Sequence, residues 1–168
     1  MFVDQHAAHE RILFERYFLK AQEFLGIQAL LIPETVNLNM VQFKVVAERI
    51  KLFADIGFEL ETFGGQTIII RGAPLSLINL DYRQIILDLI EQFIHFETFK
   101  DPAEIKEAFI TTMACHTAIK AGDNLNLLEL EGLIRDLFRC ENPYTCPHGR
   151  PTVFRLSQEE LAKKFLRR

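Results

Sequence analysis

Near the start of the chain, Asp4-Gln5-His6-Ala7-Ala8-His9-Glu10 brings two carboxylates and two imidazoles into one short stretch. On a helix, with about 3.6 residues per turn, His6 and Glu10 share a face and His9 lies beside them. A His and a Glu four apart on one face make half of a metal site. Glu15 comes roughly 140° further around the axis from Glu10, so it points elsewhere and is expected to brace the helix by an ion pair or hydrogen bond. The other candidate donors are distant in the chain. Cys115 sits among small side chains, and Cys146 and His148 flank one Pro in the irregular loop 141–151. Nitrogen, sulfur and oxygen donors in this mixture suit zinc, with manganese at the oxygen-rich side. Spacing alone leaves a plainer alternative open, a buried structural Cys and a surface His. Cys140 and His95 fit neither pattern and are expected to be a plain buried or partly exposed thiol and a helix-end surface residue.

The elements that must position these groups can be read in order. Phe2-Val3 reads as the end of a strand, short enough to suggest a chain cut from a longer protein. It feeds a helix from about His6 to Phe24, stopped at Gly26. Residues 27–38 read as extended around Pro33. Asn39 can cap a helix running to about Ile56, and two strands, 58–63 and 67–71, turn around Gly64-Gly65, where glycine tolerates positive φ. A second amphipathic helix follows Asp81 with Ile85, Ile86, Leu89, Ile90 and Phe93 on its apolar face. This helix–strand–strand–helix unit, residues 40–96, is poor in chemistry and reads as an inserted subdomain. Asp101-Pro102 then opens the helix carrying Cys115. Asn126 caps another helix to about Arg139, and Thr152–Leu156 is a short strand. Ser157 with Glu160 forms a capping box for a last, basic helix. The expected class is α+β, with residues 1–39 and 97–168 around the insert.

Composition narrows the function classes. The chain has 168 residues, 49% of them hydrophobic and fifteen of them Phe, ample for a core without help from a metal. No run approaches a membrane span and no basic-then-apolar leader is present, so no membrane partner is expected. Three Cys at irregular spacing argue for a reducing compartment, read here as cytoplasmic. Charge is uneven: residues 1–134 hold 11 Lys/Arg against 19 Asp/Glu, and residues 135–168 hold 8 against 4. Such a chain does not grip nucleic acid by counterion release alone, so a nucleic-acid role needs a local patch, a metal or a partner.

Three stretches carry a resemblance to a known family. Asp4-Gln5-His6-Ala7 with Glu10 and Glu15 resembles the D-Q-H-A-x2-E-x4-E motif of the C-terminal endonuclease and dimerisation domain of bacterial MutL mismatch-repair proteins. Ala114-Cys115 resembles its A-C-R helix motif, with His116 here in the position of the Arg. Cys146-Pro147-His148-Gly149-Arg150-Pro151 resembles its C-P-H-G-R-P motif. The resemblance implies an α+β fold with an inserted regulatory subdomain at 40–96. It implies metal ligands at His6, Glu10, Cys115, Cys146 and His148, with Zn2+ in a structural or regulatory role and Mn2+ in catalysis. Asp4 becomes the carboxylate required for cleavage together with Glu10, and could cap the first helix as well. Arg150 is either a phosphate contact or a structural ion pair, while His9 falls at a variable position of the motif. Gln28-Ala29-Leu30-Leu31-Ile32-Pro33 resembles the family's Q-x-x-[L/I]-x-P peptide for the replication sliding clamp, with Gln28, Leu31 and Pro33 as the contacts. The alternative for these residues is an edge strand.

The expected function is therefore a metal-dependent endonuclease that nicks one strand of duplex DNA. Its expected partners are a second copy of the chain, the clamp and, through the full-length protein, a MutS-type mismatch-recognition protein. The family's ATPase portion has no counterpart in these residues. A competing reading from another class is a dimerisation and clamp-docking module with structural zinc. Asp4 separates them, because a scaffold needs the Cys and His ligands but no carboxylate for cleavage.

Overall fold

A computed structural model of the chain describes residues 1–19, 26–77, 80–95, 101–120 and 122–166. The fold is α+β, as expected, and divides into two compact units: residues 1–15 with 117–168, and residues 16–116. The expected end of the first helix at Phe24 lies outside the described residues.

In the first unit, β1 (Phe2–Val3) pairs antiparallel with β5 (Val153–Phe154), Phe2 opposite Phe154 and Val3 opposite Val153. The Phe2 and Phe154 rings stack at 4.9 Å. This pairing joins the two ends of the chain's chemistry, because β1 opens directly into α1 (Gln5–Leu19) and β5 follows the Cys146 loop. Asp4 N–H donates to the Thr152 carbonyl at 2.9 Å, which extends the ladder to the helix start. Asp4 Oδ1 accepts from Ala7 N–H at 3.0 Å, so Asp4 is the N-cap of α1. Ala8 and Ile12 of α1 then bury against Leu133 and Leu137 of α5 (Leu127–Leu137), with Val3, Ile119, Leu125 and Val153 around them. Asn126 caps α5 in a full capping box with Glu129, and Ser157 does the same with Glu160 for α6 (Gln158–Lys164).

The second unit is built on a three-stranded antiparallel sheet in the order β2–β4–β3: β2 (Ile27–Asn37), β3 (Glu59–Thr62) and β4 (Thr67–Pro74). The β3–β4 turn has both Gly64 and Gly65 at positive φ, the conformation that a two-residue hairpin of this kind requires. α2 (Met40–Asp55) is capped by an Asn39–Gln42 box. With α3 (Tyr82–His95) and α4 (Pro102–Thr117) it covers one core, in which Phe53, Phe58, Phe93 and Phe109 are fully buried. Each aromatic pair meets edge-on, Phe53–Phe93 at 5.4 Å and Phe58–Phe109 at 5.9 Å. Every apolar position expected on α3 is buried, which is what a period of 3.6 against a sheet dictates. Residues 40–96 fall within this unit together with β2 and most of α4. No helix among the described residues is long and apolar enough to cross a membrane.

Candidate metal centre

Glu10 is the centre of the site. It lies on the buried face of α1 between Ala7, Ala8 and Leu13, and no part of it is exposed. Its carboxylate meets nitrogen on three sides. His6 Nε2 is 3.1 Å from Oε1, one helical turn back on α1. His148 Nδ1 is 3.6 Å from the same oxygen. One guanidinium nitrogen of Arg150, Nη2, donates to both oxygens at 2.9 and 2.7 Å. Donor atoms of Glu10, Cys146 and His148 all lie within 4.8 Å of one another, and Cys146 is buried while His148 stands at the surface. Burial by itself would raise the Glu10 pKa. Hydrogen bonds from His148 and Cys146, with the electrostatic attraction of His148 and of the Arg150 guanidinium, outweigh it and hold the carboxyl at about 2. Glu10 is therefore a carboxylate that is ionised at neutral pH inside the protein.

Two devices bring the loop to α1. Within the loop, Thr145 and Pro151 form an antiparallel bridge, Cys146 N–H donates to the Arg150 carbonyl at 2.8 Å, and Gly149 N–H returns to the Cys146 carbonyl at 2.9 Å. Gly149 has a φ of 80°, which suits glycine and closes this tight turn. From outside, Arg11 Nε donates to the Thr145 carbonyl at 2.6 Å. Glu15 accepts the backbone N–H groups of Glu141 at 2.8 Å and Asn142 at 3.1 Å. Arg11 and Glu15 face each other one turn apart at 3.8 Å. Glu15, turned away from Glu10 by its angle on the helix, pairs with Arg11 on its own helix and also holds the entrance to the ligand loop.

His6 is oriented from its other nitrogen. Its Nδ1 lies 2.8 Å from the Ile119 carbonyl, which can only accept, so Nδ1 carries hydrogen and Nε2 faces Glu10. A neutral imidazole in this pose aims a lone pair at a carboxylate, an arrangement that a cation between them satisfies. The N, O and S donors present fit a zinc-like ion.

The remaining sequence candidates are placed as follows. Asp4 is exposed and, among the described residues, lies outside the donor cluster. It lines a cavity of about 340 Å3 with Val3, Gln5, Gly122, Leu130, Leu133 and Ile134. Cys115 lies in the last turn of α4, half-buried, in the second unit, and Ile119 follows it by four residues. His116 Nε2 lies 2.8 Å from Asp88 Oδ2 on α3, so the position of the motif's Arg is held here by a His with a carboxylate partner. Arg150 adopts the ion-pair alternative toward Glu10 while its side chain stays 53% exposed. Cys140 is half-buried and its thiol donates to the Asp136 carbonyl at 3.5 Å. None of the three Cys is in a disulfide.

Gln28 pairs within β2 opposite Ala73, but the register breaks between Ala29 and Glu34. The segment Leu30–Pro33 therefore bulges from the ladder, with Leu31 fully exposed and Ile32 82% exposed. Sequence reasoning missed Gln5, whose Nε2 donates to the Asp123 carbonyl at 3.1 Å, and it missed Arg11. The i, i+4 spacing of Arg11 and Glu15 was the available signal for the latter.

The first 125 residues match the family described as the MutL C terminal dimerisation domain. Nearly the whole chain, 98%, aligns with DNA mismatch repair protein MutL of Desulforamulus reducens at 38% identity over 166 residues. MutL proteins of Clostridium botulinum and Pelotomaculum thermopropionicum align over the same share at 39% and 40%. The chain belongs to the MutL family. It spans about a quarter of the length of these MutL relatives, 25–27%. The matched family region contains the α1 and Cys115 motifs. The relatives' alignments extend past it, through the Cys146 loop.

Proposed function

We propose that this chain is the nicking-endonuclease portion of a bacterial mismatch-repair protein, hydrolysing a phosphodiester in one strand of duplex DNA with a divalent metal. The observation that carries this reading is Glu10, a fully buried carboxylate kept ionised between two imidazoles and a guanidinium beside a thiol. Burying such a charge is costly unless it is paired, as Arg150 pairs it here, and perturbed groups of this kind concentrate at functional sites. His6, Glu10, Cys146 and His148 are the ligands in this reading. Cys115 joins them on its motif. We assign Zn2+ to the sulfur-rich ligands, in a structural or regulatory role, and Mn2+ to the catalytic position. Once bound, the cation supplies a Lewis acid for a phosphate oxygen and a water acidic enough to attack near neutral pH.

The chain's own groups do the positioning. The Ile119 carbonyl fixes His6, while Arg11 and Glu15 hold the loop that brings Cys146 and His148 to Glu10. Arg150 is anchored on Glu10 by Nη2, and its exposed guanidinium meets a phosphate oxygen of the DNA. Asp4, at the strand end where α1 begins, keeps one carboxylate oxygen on its own helix and orients water with the charge that remains. The insert at 40–96 acts as a regulatory subdomain. The protruding Leu31, with Gln28 and Pro33, docks on the sliding clamp in the cytoplasm of the cell, the aliphatic side chain filling a hydrophobic pocket. The chain pairs with a second copy of itself, and the full-length protein receives its signal from a MutS-type partner.

One observation favours the scaffold reading instead. Asp4 has a complete structural role as N-cap, so its carboxylate alone no longer argues for cleavage. Asp4→Asn separates the two, because Asn caps a helix as well as Asp while carrying no charge. Purified wild-type chain with Mn2+ is expected to convert supercoiled plasmid to open circles, and Asp4→Asn to leave it supercoiled at unchanged thermal stability. Nicking retained by the variant would remove Asp4 from the reaction and sink the assignment.

A further inference from the structure

His9 stands outside the donor cluster, yet it holds the residue that orients His6. The two histidines lie three apart on α1 and both reach Ile119. Ile119 N–H donates to His9 Nδ1 at 2.9 Å, and His6 Nδ1 meets the Ile119 carbonyl at 2.8 Å. A backbone N–H can only donate, so His9 Nδ1 bears a lone pair and a neutral His9 carries its hydrogen on Nε2. A carbonyl can only accept, so a neutral His6 carries its hydrogen on Nδ1 and points the Nε2 lone pair toward Glu10 Oε1, 3.1 Å away. One residue's two backbone groups thus hold the two imidazoles as opposite tautomers.

Ile119 lies between the end of α4 and the turn at Lys120–Asp123, in no regular element. No helix or strand ladder fixes its peptide groups, and side chains of α1 do so instead. We propose that His9 is a positioning residue: by anchoring Ile119 it locks His6 in the Nδ1–H tautomer and presents His6 Nε2 to a divalent cation beside Glu10. In the opposite tautomer His6 Nε2–H would donate to Glu10 and close the ligand position. The inference rests on His6 being a ligand, and His9 acts through the outer hydrogen bond that Ile119 makes to it, a bond of the kind whose loss from a metal-bound His weakens metal binding about 10- to 100-fold.

The test uses the full chain labelled with 15N. Long-range proton–nitrogen correlation of the metal-free protein at about pH 8.5, where free imidazoles are neutral, reads the tautomers directly. His6 is expected as Nδ1–H and His9 as Nε2–H. His6 found as Nε2–H would overturn the proposal without any mutation. His9→Phe keeps a ring and removes the acceptor, whereas His9→Asn places an acceptor near the Nδ1 position. Zinc affinity by chelator competition is expected to fall about tenfold or more in His9→Phe, with mixed His6 tautomers, and to stay near wild type in His9→Asn. Wild-type affinity and tautomer in His9→Phe would overturn it, and so would an equal loss in both variants. If His9→Phe does not fold, the wild-type tautomers and His9→Asn decide. His6→Ala keeps the two questions apart: unchanged zinc affinity there would remove His6 as a ligand, while the tautomers still judge the role of His9.

Discussion

The brace at Glu15 offers the most direct check on how this site is built. Glu15→Ala removes one carboxylate that accepts two backbone N–H groups, those of Glu141 and Asn142, at 2.8 and 3.1 Å. A hydrogen bond to a charged group contributes about 1.5–3 kcal/mol, which sets an upper bound of about 3–6 kcal/mol for the pair. Both donors belong to exposed residues, and the Glu15 side chain is itself 20% exposed, so water takes part of the vacated place. The expected loss is about 1.5–2.5 kcal/mol. The Arg11–Glu15 pair at 3.8 Å adds about 0.5 kcal/mol or less. Because Glu15 touches the loop entrance and not the donors, this energy should appear as weaker placement of Cys146 and His148. About 1.4 kcal/mol corresponds to tenfold in affinity, so zinc binding should weaken by roughly 10- to 100-fold. Competition against a chromophoric chelator measures this, and circular dichroism checks that the fold survives. Glu15→Gln, which keeps one acceptor, should fall between the two. Unchanged affinity in a folded Glu15→Ala would show that the loop's internal bridge positions the ligands unaided, and the bracing argument would fail.

Two further outcomes follow from the same geometry. Leu31→Asp should abolish binding to the clamp at unchanged zinc content and melting temperature, because Leu31 is fully exposed on its bulge and packs on nothing that folding needs. Equal clamp affinity in a binding assay would discard the peptide reading. Burial and the neighbouring Glu15 carboxylate push the Cys140 thiol up to about 11. The thiolate is the reactive form, so alkylation at Cys140 should be slow at neutral pH and accelerate as pH rises toward 11. Glu15→Ala should speed it, and fast neutral-pH alkylation of wild type would contradict the assigned environment.

Local structure was legible where local rules govern it. The Asn39, Asn126 and Ser157 caps, the Gly64-Gly65 turn and the buried face Ile85–Phe93 all depend on neighbours a few residues apart, and each stands where its pattern places it. Strand partners were not legible. β2 pairs with β4 across roughly 40 residues, and its register break at Ala29/Glu34 follows from that pairing, not from the β2 sequence. The expected strand 152–156 shortens to Val153–Phe154, because it exists only as far as β1 runs beside it.

The opening motif shows the same division inside one helix. Residue type and spacing alone put His6 and Glu10 on one face and turned Glu15 away from it, because helical geometry acts over a single turn. Which neighbours each residue meets is a long-range question. Only the fold assigns Arg11 and Glu15 to the loop from 141 to 145, Arg150 to both oxygens of Glu10, and His6 and His9 to the two sides of Ile119. These partners lie more than 100 residues away along the chain, and no local propensity encodes them. They meet because β1 pairs with β5 and because Ala8 and Ile12 of α1 bury against Leu133 and Leu137 of α5.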